Sequence, residues 1–273
     1  VPWVYQDVPF DESKVTLAVE TNHPLSPYSP IEPGLVENQI AEHVASRVED
    51  GATLQYGIGG IPVAVLRALK GHRHLGLHSG LISEEVVDLV EVGVITNAYK
   101  PVNTGKSIGA VGFGGAKLKM CLHANPSFEM HQSISTHGAA VLSKISNLVS
   151  VNSALEVDLY GQVNAEQIEN RYLGAIGGQV DFMHAASTHA AGLSIIAMPA
   201  GLGSSRRSRI TDRLSGPLVT TPRTDVDLVI TEFGVADLRG KNNDARARAL
   251  IEIALPEYRD QLAASWNRSS EDI

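Results

Sequence analysis

The sequence has 273 residues, 43% of them hydrophobic, which is enough for one large globular domain or two small ones. Its net charge of −8 and pI near 5.7 argue against non-specific binding to nucleic acid or to an anionic membrane, since both rest on basic patches. A single cysteine, Cys121, excludes an internal disulfide and a cysteine-based metal cluster, and is expected to be a small buried residue in a reducing cytosol. No apolar run approaches the ~20 residues of a membrane span and no signal segment opens the chain, so the expectation is a soluble cytoplasmic protein that takes a small ligand or a protein partner.

Residues 1–34 carry six of the thirteen prolines, and Val15-Thr16-Leu17-Ala18-Val19 is their one strand-like run. They read as a lead-in strand followed by a connector, leaving 35–273 as the domain proper. From Glu37 to Glu49, Ile40, Val44 and Val48 recur at helical spacing, and an Asp50-Gly51 turn follows. Thr53 to Tyr56 then reads as a short strand, Gly57-Ile58-Gly59-Gly60 as a loop, and Val63 to Lys70 as a helix with Pro62 in its first turn, where a missing N–H costs nothing. A strand, a glycine loop and a helix N-terminus together offer unpaired N–H groups to an anion or a carbonyl oxygen. The pattern repeats: Leu75 to His78 is strand-like, Ser79-Gly80 a turn, and Ser83 an N-cap for a helix from Glu84 to Glu91. Two adjacent turns of this kind lie on one edge of an open sheet, at the carboxyl ends of the strands, where ligands bind.

Further along, Ile108 to Gly115 is glycine-rich but lacks the spacing of a nucleotide phosphate loop, and reads as a strand with a close-packed turn. His123, His131, His137, His184 and His189 form no metal-binding pattern and read as scattered loop residues, so no metal is expected. Leu148 to Gly161 opens with residues of high strand propensity and then alternates, which puts Glu156 and Asp158 on one face, either as a solvated edge or as a carboxylate pair facing a cleft. Gly174 to Gly178 is a third glycine loop, leading from Gln179 into a helix. Ser194 to Met198 and Pro217 to Thr221 read as strands, and Arg206, Arg207, Arg209 and Arg213 between them suit either ligand phosphates or solvent. Asp227 to Thr231 is a buried strand, and Asp244 to Glu252 and Pro256 to Trp266 are helical. Strands alternating with helices imply an α/β fold, an open and mainly parallel sheet with flanking helices.

Five stretches in order and spacing, LQYGIGGIP, LVEVGVITN, NSALEVDLYGQV, GGQVDF and ITEFGVADLRGK, resemble the acetyl-CoA hydrolase/transferase family, most closely its 4-hydroxybutyrate CoA-transferase-like members. The resemblance runs from about residue 15 to the end. It implies a fold of the CoA-transferase-like, NagB/RpiA type. It also implies that 35–273 is the C-terminal domain of a two-domain enzyme whose N-terminal domain, which would complete the cleft, is absent; the expected partner is that missing domain or subunit, or else a second copy in a homo-oligomer, since half a cleft exposes apolar surface. Coenzyme A or acyl-CoA is then the substrate, with a carboxylic acid as second partner. Gly57, Ile58, Gly59, Gly60 and Ile61 would line the thioester site, with Leu155, Gly177, Gly178 and Gln179 also against CoA. The N–H groups of such loops suit a thioester oxyanion.

In this family the nucleophile is a glutamate in a His-Ser/Thr-Glu turn after the second strand. The matching turn here is His78-Ser79-Gly80, so Gly80 stands at the nucleophile position and no glutamyl-CoA intermediate is expected. A family lysine before the strand at Ser194 is matched by Leu193. Three readings stay open. One is hydrolysis or transfer with another carboxylate, Glu84, Glu85 or Glu156, as base. Another is a pseudoenzyme or regulatory subunit that binds acyl-CoA or a partner without family chemistry. The third is an engineered Gly80 or a fragment of a working transferase.

Overall fold

The computed structural model describes residues 1–23, 28–168, 171–202 and 207–270. Its centre is a six-stranded sheet formed by β1 (Thr53–Tyr56), β2 (Gly76–Leu77), β3 (Leu148–Asn152), β4 (Leu193–Ala197), β5 (Leu228–Thr231) and β6 (Gly234–Asp237). The order is β6-β5-β4-β3-β1-β2, parallel throughout except for the β5–β6 hairpin. In β1, β3, β4 and β5 every residue is buried, as expected of parallel strands covered on both faces.

The helices are α1 (Leu35–Ala45), α2 (Gly60–Ala68), α3 (Glu84–Glu91), α4 (Ala116–Leu122), α5 (Ser133–Thr136), α6 (Ala139–Leu142), α7 (Gln179–Ser187), α8 (Asn243–Glu252) and α9 (Arg259–Ser270). Period-two alternation divides the core. Ile195, Leu228 and Ile230 pack with Ile40, Val44 and Val65 of α1 and α2, whereas Ile196 and Val229 pack with Ala247 and Leu250 of α8. Leu142, Leu148, Phe182 and Ala186 form a third cluster between α6 and α7.

This winding positions the site. A helix joining two parallel strands runs back along the sheet, so its N-terminus sits at the carboxyl ends of the strands. α2 connects β1 to β2 and α7 precedes β4, so the first and third glycine loops share one edge.

Several local expectations change. Val15 to Val19 forms no strand: its side chains are exposed and no neighbouring strand pairs with it, while Tyr5–Gln6 pairs with Phe128–Met130 instead. Pro217 to Thr221 is irregular, because only Thr221 bridges Val163. α1 starts at Leu35, where the Glu37 carboxylate accepts the Gly34 N–H at 3.0 Å. Ser83 precedes α3 as expected, but its hydroxyl caps nothing; it lies 3.3 Å from the Tyr56 hydroxyl. Cys121 is half-buried.

Candidate functional site

β1 delivers the chain to the first loop. Gly57 donates its N–H to Val151 O at 3.0 Å, which commits that group to the sheet. Gly59 then takes φ 127°, a backbone that side chains resist, and turns the chain into α2. The N–H groups of Gly60 and Ile61, in the first turn, have no acceptor within the helix. Ile58 is 70% exposed, whereas the Ile61 side chain is in the core, so Ile61 offers only backbone to a ligand. Beneath the loop, Gln55, Ser150 and Asn152 form a buried network, with Asn152 Nδ2 donating to Gln55 Oε1 at 3.0 Å. A Cβ on Gly57 would sit 3.3 Å from Asn152 Oδ1.

The second turn meets the third loop at a residue the sequence reading left among scattered histidines. His78 is fully buried with Nε2 3.0 Å from Thr136 O, and burial first, then the charge of Lys100, pushes its pKa down to about 4. Two residues on, a Cβ at Gly80 would lie 2.9 Å from His137 Nε2. A Cβ at Gly178 would lie 2.5 Å from the same nitrogen. The His137 imidazole therefore occupies a slot between the two glycines, edge-on to Phe182 at 4.9 Å, with Nδ1 2.6 Å from Thr136 Oγ1. Nothing local in the sequence signals this, because the ring reaches the site from the short α5–α6 segment, far along the chain from both glycines.

The three carboxylates separate. Glu84 accepts the Gly115 N–H and so caps α4. Glu156, 4% exposed, accepts from Asn164 Nδ2 at 2.9 Å and from the N–H and hydroxyl of Ser215 at 2.9 and 2.8 Å, which leaves it neither solvated nor facing a cleft. Asp158 is likewise turned inward onto Tyr160 and Gln162, and burial raises its pKa. Glu85 is different. It is 7% exposed, and Oε2 has no partner among the described residues. It lines a cavity of about 20 Å³ with Tyr28, Tyr56, Gly57, Gly59 and Phe113, room for about one water molecule.

Around the third loop, Gly177 takes φ 56° and Gln179 Nε2 donates to Thr221 Oγ1 at 3.1 Å. Leu155, half-buried after β3, has its N–H on Asn164 O and its carbonyl on Arg209 Nε, so only its side chain is open to a ligand. That bond also settles part of the arginine run: Arg209 is buried against the carbonyls of Ala154 and Leu155, Arg213 stacks 4.6 Å over the Tyr160 ring, and Arg206 lies outside the described residues. Leu193 begins β4 at the opposite edge of the sheet, where it lines a cavity of about 640 Å³ that contains none of the glycine loops.

Gly57 to Ile61, Gly80, Leu155 and Gly177 to Gln179 thus share the carboxyl edge, with Glu85 beneath the first loop; Glu84 and Glu156 are spent elsewhere. Residues 114–266 match the model of the acetyl-CoA hydrolase/transferase C-terminal domain. The chain belongs to this family. It is 45% identical over 257 residues to 4-hydroxybutyrate coenzyme A transferase of Clostridium kluyveri, covering 94% of this chain and 60% of that protein. It is 26% identical to acetyl-CoA hydrolase of Saccharomyces cerevisiae, covering 96% of this chain and 51% of that protein. Among solved structures, RipA of Yersinia pestis superposes with a TM-score of 0.85 at 33% identity, over 91% of this chain and 57% of that one. A 4-hydroxybutyrate CoA-transferase of Porphyromonas gingivalis superposes with a TM-score of 0.78 at 37% identity, over 89% and 58%. The chain therefore spans between 51% and 60% of the length of these two curated relatives.

Proposed function

We propose that this chain binds a short acyl-CoA at the carboxyl edge of its sheet and that the thioester reacts there without a bond to residue 80. The carbonyl oxygen lies over the first loop, where the N–H groups of Gly60 and Ile61 and the positive end of α2 stabilise the charge that develops during acyl transfer. The observation that carries the reading is the shared carboxyl edge of the first and third glycine loops, where Gly178 and the Gly80 turn close on one His137 ring, together with family relatives that are CoA-transferases and acetyl-CoA hydrolases.

Glu85 is the retained member of the three carboxylates. Its unpartnered oxygen is buried, Glu85 shares its small cavity with the first loop, and that oxygen accepts a hydrogen bond from a hydroxyl on the acyl chain or from a water in the same cavity. The similarity to a 4-hydroxybutyrate enzyme supports a hydroxylated acyl group as one such donor. A binding-only role is the second reading, and Gly80 favours it, because the position has no side chain with which to attack.

Calorimetric titration with CoA, acetyl-CoA and 4-hydroxybutyryl-CoA tests binding: the expected result is tighter binding of the thioesters than of free CoA, and no heat from any of the three overturns both readings. Incubation with acyl-CoA, borohydride reduction and peptide mapping tests the chemistry. No modified glutamate is expected, and a reduced glutamate would sink the mechanism.

A further inference from the structure

Resting on that acyl-CoA reading, we infer that His137 is the catalytic base of the site and that the bound thioester is hydrolysed. Gly80 and Gly178 flank the ring so closely that a side chain on either would collide with it, and in both cases Nε2 is among the atoms met first. The polar tip of the ring, rather than its carbon edge alone, thus points into the seam between the two ligand loops, where the missing side chain of residue 80 would begin.

The other nitrogen has a partner that accommodates the useful tautomer. Thr136 Oγ1 lies 2.6 Å from Nδ1 and 3.4 Å from Ser133 O. In the inferred arrangement the threonine proton goes to the carbonyl of Ser133 or of Gln132, the latter at 3.5 Å, Nδ1–H donates to Thr136 Oγ1, and Nε2 carries the lone pair. No described residue bonds Nε2. Phe182 supports the ring edge-on, and His137 also borders a cavity of about 250 Å³ with Ala139, Val180, Asp181 and His184. At ~30 Å³ per molecule that cavity, lined from α6 and α7, has room for several waters beside the ring.

The step balances with these groups alone. Water oxygen attacks the thioester carbonyl carbon while its proton passes to Nε2. The oxyanion formed over the first loop collapses, the C–S bond breaks, and the CoA thiolate takes the proton from the imidazolium. The products are a carboxylic acid and free CoA thiol. Gly80 is then the residue that makes room for the base.

The test follows thiol release from acetyl-CoA and 4-hydroxybutyryl-CoA by the full chain, beside calorimetric binding and circular dichroism. Wild type is expected to release thiol with a normal solvent deuterium isotope effect. His137→Gln should keep the far-ultraviolet spectrum and bind acyl-CoA within a few-fold, yet lose at least ~100-fold in turnover. Gly80→Ala reaches the same ring from the opposite side and should give a similar loss without touching α5 or α6. Thr136→Val, a positioning change, should lower kcat with little effect on KM and alter the isotope effect. Wild-type turnover in folded His137→Gln or Gly80→Ala overturns the inference. Binding of acyl-CoA without thiol release by wild type overturns it while leaving the acyl-CoA reading intact; absence of binding removes both.

Discussion

Glu85 and Glu156 are both glutamates buried beyond nine-tenths, and they differ in what their oxygens touch. Glu156 holds together three segments, its own strand, Asn164 and the Ser215 loop, all through Oε1, so Glu156→Ala removes the acceptor of three hydrogen bonds and leaves their donors unpaired. The expected loss is about 1–3 kcal/mol in urea unfolding, with a lower Tm. Glu85→Gln removes a charge that has one unpartnered oxygen, so stability should stay within about 0.5 kcal/mol or rise. Its effect belongs to substrate: KM for 4-hydroxybutyryl-CoA should rise about tenfold or more relative to butyryl-CoA, the difference a charge-assisted hydrogen bond makes. Equal KM ratios in wild type and variant would remove Glu85 from the acyl pocket. The sequence presented these residues as equivalent base candidates. Their difference rests on Ser215 and on the first loop, contacts made by folding across long stretches of chain, which no local pattern carries.

At the scale of elements, the strand-loop-helix unit from Thr53 to Ala68 was legible because its causes are local. A buried β run, glycines where the chain must turn and a proline in the first helical turn all point the same way. The loop conformation itself gives a prediction. A Cβ on Gly59 would meet no atom within 4 Å, so Gly59→Ala costs only backbone strain at φ 127°, about 1–3 kcal/mol. Gly71, equally open and with no positive φ, is the control, and Gly71→Ala should leave the melting temperature nearly unchanged. Gly59→Ala should also weaken acyl-CoA binding measured by calorimetry, since strain relief there turns the first N–H groups of α2 away from the ligand. Val15 to Val19 and Pro217 to Thr221 misled for the converse reason: strand propensity without a partner edge leaves no ladder to join, and the first of these segments lies exposed.

For the whole molecule, alternation of strands and helices was enough to indicate a wound parallel sheet, and winding alone brought the first and third glycine loops to one edge. His137 was not legible, because its place depends on how the segment of α5 and α6 lies against α7. The same packing buries two bases beside the edge strand β2. Lys100 Nζ donates to Leu77 O at 2.8 Å and Lys106 O at 2.6 Å, and burial pushes its pKa down to about 7.

These buried bases make the fold acid-sensitive. In the unfolded chain His78 titrates near 6.5, whereas in the fold burial holds it near 4, so between those values the unfolded chain carries a proton that the fold excludes. Stability therefore falls as pH drops through this window, by about 3 kcal/mol for His78 alone, and the whole penalty is present below pH 4. Lys100 acts in the same direction at higher pH, because the fold releases its proton near 7 and the unfolded chain near 10.5, so stability continues to climb above neutrality. Urea unfolding at pH 4.5, 7 and 9 should give a midpoint that rises at each step. His78→Gln keeps a donor where Nε2 meets Thr136 O and removes the titration, so its midpoint should change less between pH 4.5 and 7 than that of wild type. An equal change in both proteins would show that His78 is not what the acid attacks. The expected result would tie acid sensitivity to the turn that carries Gly80, so thiol release by wild type should fail on acidification together with the fold, as followed by circular dichroism on the same samples.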